Sequence, residues 1–280
     1  MPAPAGVGHP SNYLAGLFAL VRISLWQIVR PPSHSRRAEA ARRLARHSLL
    51  IAAITSAGII ALMVWLDARE IVLMPPRGTP SLWPVRILTD FGKDAYVLAA
   101  LAAMALLAGF VAAALQGTSR AQWLGFGLRV QFVFFAVLVP LLAGELIKWV
   151  AGRGRPFVGG QANAFNFAPF AGTEAYASFP SAHAITAFAL AFAVSAVWPR
   201  ARAAMIVYAL LIAASRLVLL AHHPSDVVAG GLIGVVGAMA VRYWFAARRL
   251  GFAIRRDGQI VPLRSVFGQR KRVARSAPAP

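Results

Sequence analysis

The sequence contains no cysteine and only nine acidic residues. The first absence excludes a disulfide framework and any thiolate metal site, and leaves the redox compartment unmarked. The second leaves 29 Lys and Arg residues nearly unopposed, for a formal charge of +20. Charge of either sign is itself scarce: 14% of the 280 residues carry one, against about 25% in an ordinary soluble domain. Hydrophobic residues make up 59%. A soluble protein this basic would suggest nucleic acid as a partner. Here the cations fall between and beyond apolar runs, which is the pattern of a membrane protein retaining positive charge on its cytoplasmic side. Nucleic acid is therefore not an expected partner. The chain shows no internal repeat and no separate soluble domain.

Uncharged apolar runs cover residues 48–66 and 95–115, each near the roughly 20 residues that carry a helix across a bilayer. A third run, 130–150, contains Pro140 as a kink and meets its first charge at Glu145. Three shorter runs, 184–198, 203–220 and 227–245, are interrupted at or beside His183, Arg216 and Asp226. Ionisable residues at such depth usually face a cavity. The expected architecture is all-α: an integral membrane bundle of six helices. The expected division is a basic N-terminal segment, 1–47, a membrane domain, 48–245, and a basic cytoplasmic tail, 246–280, without fixed structure. Residues 13–28 are expected to form an amphipathic helix on the membrane surface, with Leu14, Leu17, Phe18, Val21, Leu25 and Ile28 at helical spacing. A seventh span is the alternative, and it would place Arg22 near the bilayer centre. The start lacks the basic residues of a cleaved signal peptide.

With the N-terminus inside, 21 of the 29 Lys and Arg residues fall on the cytoplasmic side. Three short motifs then share the opposite face. The first is Lys148, six residues, then Arg155-Pro156. The second is Pro180-Ser181-Ala182-His183, and the third is Ser215-Arg216, five residues, His222, three residues, Asp226.

Phosphoryl transfer is mostly positioning and charge stabilisation. Lys148, Arg155 and Arg216 supply the cations, and the Arg forks match phosphate oxygens. Seven residues make about two helical turns, so Lys148 and Arg155 can face one pocket even if the helix ends near Gly152. Pro180 is placed to open a helix whose first N–H groups, with the Ser181 hydroxyl, point at an anion. A plain capping role for Ser181 is the alternative. His183 can protonate a leaving alkoxide. Asp226 can hold one ring nitrogen of His222 and leave the other as a nucleophile. Alternatively Asp226 is a helix cap beside two interface histidines; chemistry alone does not choose between His222 and His223. Glu145 reads as a charge partner of Lys148, and Asp90, Lys93, Asp94 and Glu174 as solvated loop charges. Gly230, Gly234 and Ala238 read as a close helix contact. The Pro- and Gly-rich stretch 67–93 either covers the site or merely joins two helices.

In order and spacing the three motifs resemble those of the membrane-bound type-2 phosphatidic acid phosphatase family, which shares its histidine site with vanadium haloperoxidases. The resemblance covers about residues 130–245. It implies a phosphohistidine at His222 oriented by Asp226, with His183 as acid. It implies phosphate binding by Lys148, Arg155, Ser181, the Ala182 N–H and Arg216, with no metal and no cofactor. Ala182 stands where the family usually has glycine; the change is harmless only if that residue is already helical. The expected activity is hydrolysis of a lipid phosphate at the outer face of a bacterial inner membrane. Phosphatidic acid, phosphatidylglycerol phosphate, undecaprenyl pyrophosphate and lipid A phosphate all remain open as substrates. Transfer of the phosphate to a second lipid is the alternative, and the oligomeric state is not legible.

Overall fold

In a computed structural model, which describes residues 13–156, 158–160, 162–255 and 259–263, each apolar run lies on a helix. The helices are α1 (Tyr13–Val29), α2 (His34–Trp65), α3 (Asp67–Leu73), α4 (Trp83–Asp90) and α5 (Asp94–Ala114). They continue with α6 (Gly117–Ala151), α7 (Ala182–Val197), α8 (Arg202–Val218) and α9 (Pro224–Ala247). Among the described residues, five stretches are long and apolar enough to cross a bilayer: α2, α4 running into α5, α6, α8 and α9. At 16 residues α7 is about 24 Å long by the helical rise, short of the roughly 30 Å hydrocarbon core. Large apolar side chains such as Leu49, Ile60, Leu106, Leu142 and Leu210 stay exposed on the long helices, as a lipid solvent allows. The chain is a multi-pass membrane protein.

The bundle is organised around α9, which packs against α2, α6 and α7, while α5 leans on α6 and α8 on α7. Its core gathers Phe132, Val133, Ala136 and Val137 of α6, Ala189 and Ala193 of α7, and Ala238, Val241 and Phe245 of α9. The contact between α7 and α9 is backbone-close because α9 carries glycine there. A Cβ on Gly230 would sit 2.6 Å from the Ser181 carbonyl oxygen, and one on Gly234 2.5 Å from that of Ile185. Without side chains in the way, α9 draws the start of α7 against its own first turn. That is the small-residue packing expected of the repeat. Pro140 inside α6 is accommodated by Gly237 of α9, where a Cβ would approach its ring to 2.4 Å.

The N-terminal helix lies across one end of the bundle. Near its start the Tyr13 hydroxyl donates to the Phe110 carbonyl, close to the end of α5. Near its finish the Ile28 carbonyl accepts from Trp244 Nε1, close to the end of α9. These two helix ends belong to the same end of the bundle, so both tips of α1 sit there. A crossing helix would separate its tips by the bilayer thickness. No residue of α1 is fully buried, and Leu14, Phe18 and Leu25 of its expected apolar stripe point outward. The basic stretch 34–47 is not a separate segment: it is the first part of α2, continuous with the span.

The tail is partly ordered, contrary to expectation. Strands β1 (Phe252–Ile254) and β2 (Ile260–Pro262) pair antiparallel, with Ala253 opposite Val261. Phe252 stacks edge-on against Phe132, 4.7 Å between ring centroids, which pins this hairpin to the core. The rest of the expected unstructured tail, 256–258 and 264–280, lies outside the described residues.

The glycine contact makes a sign prediction. Alanine is favoured over glycine inside a helix by about 1 kcal/mol, and Gly58 of α2 has open space around it. Gly58→Ala is expected to hold or raise the melting temperature in detergent. Gly234→Ala is expected to lower it, because the added Cβ meets backbone that cannot swing aside, at a cost of about 1–3 kcal/mol. Equal melting temperatures for the two variants would contradict the close contact.

Candidate active site

The three motifs meet at one end of the bundle because of where their helices stop. Lys148 lies in the last turn of α6, which ends at Gly152 in the left-handed region (φ 53°, ψ 45°), its N–H bonded to the Lys148 carbonyl. Glycine is required there: a Cβ would lie 1.9 Å from the Ala168 carbonyl oxygen. The chain then runs extended through Arg153 and Arg155, held by Gly154 N–H to Asn166 O (2.8 Å) and Arg155 N–H to Ala175 O (2.9 Å). Arg216 lies in the last turn of α8, and His222 on the short link to α9.

Ala182 is the first residue of α7 and has no left-handed backbone. Alanine is therefore at home where glycine was expected. Pro180 does not open the helix as anticipated; Ser181 is its N-cap (φ −71°, ψ 114°) and makes no side-chain capping bond. The Ser181 hydroxyl is buried and unpartnered within the protein, as are His183 Nε2 and Arg216 Nε. Buried polar groups normally find a partner, so these three atoms remain open to a polar one. Burial first, and then the positive charges of Arg216, Lys93, Arg155 and Lys148, hold the His183 ring below its ordinary range.

The cations are held in place by their neighbours. Lys148 Nζ pairs with Glu145 Oε1, the expected partner one turn back. Arg155 Nε donates to the Glu174 carbonyl at 3.0 Å, and Arg216 Nη1 to Thr89 Oγ1 at 2.8 Å. Lys93 pairs with Asp90 at 2.9 Å. Glu174 is exposed, as expected of a loop charge, yet its backbone grips a site arginine.

His222 is 3% exposed, and its Nδ1 lies 2.8 Å from the Ser178 carbonyl. A carbonyl only accepts, so Nδ1 carries the proton and Nε2 keeps its lone pair. Burial, reinforced by Arg216 and Arg155, pushes the imidazole well below its ordinary range and keeps it neutral.

The expected contact between Asp226 and His222 is replaced by an indirect one. Asp226 Oδ2 accepts from Ser178 Oγ (2.5 Å) and the His223 N–H (2.9 Å), and Oδ1 accepts from Arg153 Nη1 (2.6 Å). The carboxylate sits in the first turn of α9, and Ser178 links it to the His222 ring. The capping alternative holds in part, since the His223 bond closes the start of α9. Arg153 is 0% exposed and spends all five of its N–H donors. Besides Asp226 they go to Ser225 Oγ (2.6 Å), Asp67 Oδ2 (2.8 Å) and twice to the Ala164 carbonyl (2.7 and 3.1 Å). Ser225 in turn bonds Asp67 through its hydroxyl and its N–H.

Asp67, Thr89, Ser178 and Ser225 were not among the residues the motifs singled out. Asp67 carried one usable signal, as the first charge after an uncharged run. Their contacts decide between the two readings of 67–93: the stretch is bonded to Arg153 at one end and to Arg216 at the other, and so walls the site. Beside this cluster lies Glu70, 4% exposed, with both carboxylate oxygens unpartnered. Burial, with Asp67 and Asp226 nearby, raises its pKa to about 8. Among the described residues no group of three His, Asp or Glu side chains could hold a metal ion.

Residues 129–250 match the family model of the PAP2 superfamily. Over 179 residues the chain is 32% identical to a Rhizobium johnstonii protein named lipid A 1-phosphatase, covering 61% of this chain and 71% of the relative. A Rhizobium etli protein of the same name is 31% identical over 179 residues, covering 61% of this chain and 75% of that one. No solved structure matches the chain.

Glu70 gives a pH-dependent stability. Its folded pKa, about 8, exceeds the unfolded value of 4.5, so the native state holds a proton that the unfolded chain releases. That contribution is full below pH 4.5 and is lost as the pH rises through about 8. Melting curves in detergent between pH 5 and 9 are expected to fall more steeply with pH for wild type than for Glu70→Gln, which mimics the neutral acid. Parallel curves would show that Glu70 is ionised in the fold.

Proposed function

The chain belongs to the PAP2 superfamily and is a phosphatase of lipid phosphates, and on that premise we propose that it acts through a phosphohistidine at His222 on a lipid A-type phosphate. The observation that carries the mechanism is the bond from His222 Nδ1 to the Ser178 carbonyl. It leaves Nε2 as the only ring atom with a lone pair, in a neutral, buried imidazole.

In the proposed cycle Lys148, Arg155, Arg216, the Ser181 hydroxyl and the Ala182 N–H bind the phosphate oxygens. Nε2 of His222 attacks phosphorus, and the bond from phosphorus to the lipid oxygen breaks. His183, which the bound phosphate dianion favours in its charged form, gives that oxygen its proton. Water then attacks the phosphohistidine, losing a proton to His183, and inorganic phosphate leaves. The unpartnered Ser181 Oγ, His183 Nε2 and Arg216 Nε support this assignment, because a phosphate offers each the partner it lacks. Charge spreads over the phosphoryl oxygens in the transition state, where fixed cations are worth most.

The lipid A assignment rests on the two rhizobial relatives, each matched over 61% of this chain. It narrows the four substrates that the site chemistry allows. The charge asymmetry supports a site on the periplasmic face of the inner membrane, with the end carrying α1, Arg242 and Arg248 in the cytoplasm.

Phosphate release by purified protein in detergent with excess chelator tests the proposal across lipid A, phosphatidic acid, phosphatidylglycerol phosphate and undecaprenyl pyrophosphate. Release is expected to be fastest from lipid A and to fall by at least about a thousandfold in His222→Ala, since the covalent step is lost. Ala182→Gly is expected to stay within about twofold of wild type, because the residue is already helical. Undiminished release by His222→Ala would refute the mechanism. Label passing to a second lipid instead of to free phosphate would mark a phosphotransferase.

A further inference from the structure

Ser178 is held at three points, and each leads to a different part of the molecule. Its carbonyl accepts from His222 Nδ1 (2.8 Å), its hydroxyl donates to Asp226 Oδ2 (2.5 Å), and its N–H donates to the Arg153 carbonyl (3.0 Å). Arg153 is itself fixed from outside the core motifs. Its Nη2 binds Asp67, at the start of α3, 86 residues earlier in the chain. Asp67, Arg153, Ser178, Ser225 and Asp226 are all 0% exposed. Every carboxylate oxygen and guanidinium nitrogen among them has a partner within the protein, with the Ala164 carbonyl and the His223 N–H completing the set.

We propose that Ser178, Arg153 and Asp67 are positioning residues for the nucleophile, forming a tether from α3 through Arg153 and Asp226 to the carbonyl that selects the tautomer of His222. The proposal rests on the phosphohistidine reading above and deepens it.

The physical reasoning runs through one proton. With the Ser178 carbonyl in place, the Nδ1–H tautomer gains a buried hydrogen bond that the Nε2–H tautomer cannot make. If the carbonyl drifts, the two tautomers become closer in energy, and the Nε2–H form has no lone pair on the attacking atom. Asp226 cannot hold the carbonyl directly, because it is an acceptor too; it holds the hydroxyl of the same residue. Arg153 then fixes which way that carboxylate faces, since its Nη1 bridges Asp226 and Ser225. Asp67 keeps Arg153 from turning toward Asp226 alone. None of these residues touches the phosphate, so their effect should fall on the rate of chemistry and leave binding alone.

Ser178→Ala removes one hydroxyl and leaves both backbone bonds possible. Lipid phosphate hydrolysis by this variant is expected to show kcat lowered about tenfold, the rate equivalent of one net hydrogen bond. KM and the inhibition constant of inorganic phosphate should stay unchanged, while the melting temperature falls, because a buried carboxylate loses one of its donors. Asp67→Asn, which keeps the shape and loses the charge, is expected to lower kcat in the same direction, and it carries the test if Ser178→Ala does not fold. Wild-type kcat in both variants would overturn the tether. So would a loss of phosphate binding in step with the loss of rate, which is the mark of a generally loosened site. Wild-type protein that releases no phosphate from any lipid would instead refute the phosphatase reading itself, and the two failures are thus distinct.

Discussion

The buried arginine Arg153 is the point on which this end of the molecule depends. It bonds Asp67 of α3 and Asp226 of α9 at 2.8 and 2.6 Å with no exposure to solvent on any of the three side chains. Two carboxylates around one guanidinium leave an excess negative charge, which the Ser225 hydroxyl, its N–H, the Ser178 hydroxyl and the His223 N–H distribute. Such a cluster is weak evidence for stability, because desolvation offsets the attraction. Removing one partner is another matter: the stranded charge costs about 3–5 kcal/mol. The cluster therefore makes the relative placement of three chain segments nearly all-or-none, which a site for phosphoryl transfer needs.

Around that fixed point the helices supply the rest. Gly230 and Gly234 let α9 touch the backbone of α7, and this brings the His222 link beside Ser181, Ala182 and His183. The left-handed stop at Gly152 turns the chain sharply after Lys148, so that Arg153 points inward while Arg155, only two residues on, is held by Glu174 at the site's rim. The walls come from the stretch between α2 and α5, fastened through Asp67 and Thr89.

Much of this was legible in the sequence. The six apolar runs, the glycine stripe, the Glu145–Lys148 pair and the helix stop at Gly152 follow from local spacing, and local spacing survives folding. The motif residues were legible for the same reason. What stayed hidden was non-local. Arg216 meets Thr89 across 127 residues, and Ser178 meets Asp226 across 48. No periodicity in the chain announces either contact. The direct Asp226–His222 contact was expected whether the segment is helical or turns around Pro224. In the structure α9 begins at Pro224 and His222 lies before it, and Asp226 spends its oxygens on Ser178, His223 and Arg153 instead. The ordered hairpin after α9 was missed because two strands of three residues carry almost no pattern.

The most direct measurement is the position of phosphate on the trapped enzyme. Wild-type protein would be mixed with radiolabelled lipid phosphate, quenched in alkali within the first turnover, digested, and the labelled peptide resolved into its phosphohistidine isomers. A bond from the Ser178 carbonyl to Nδ1 leaves only Nε2 to react, so the label should sit on Nε2 of His222. Label on Nδ1, on His183 or His223, or on no histidine at all would contradict the tautomer that the whole buried network is arranged to hold.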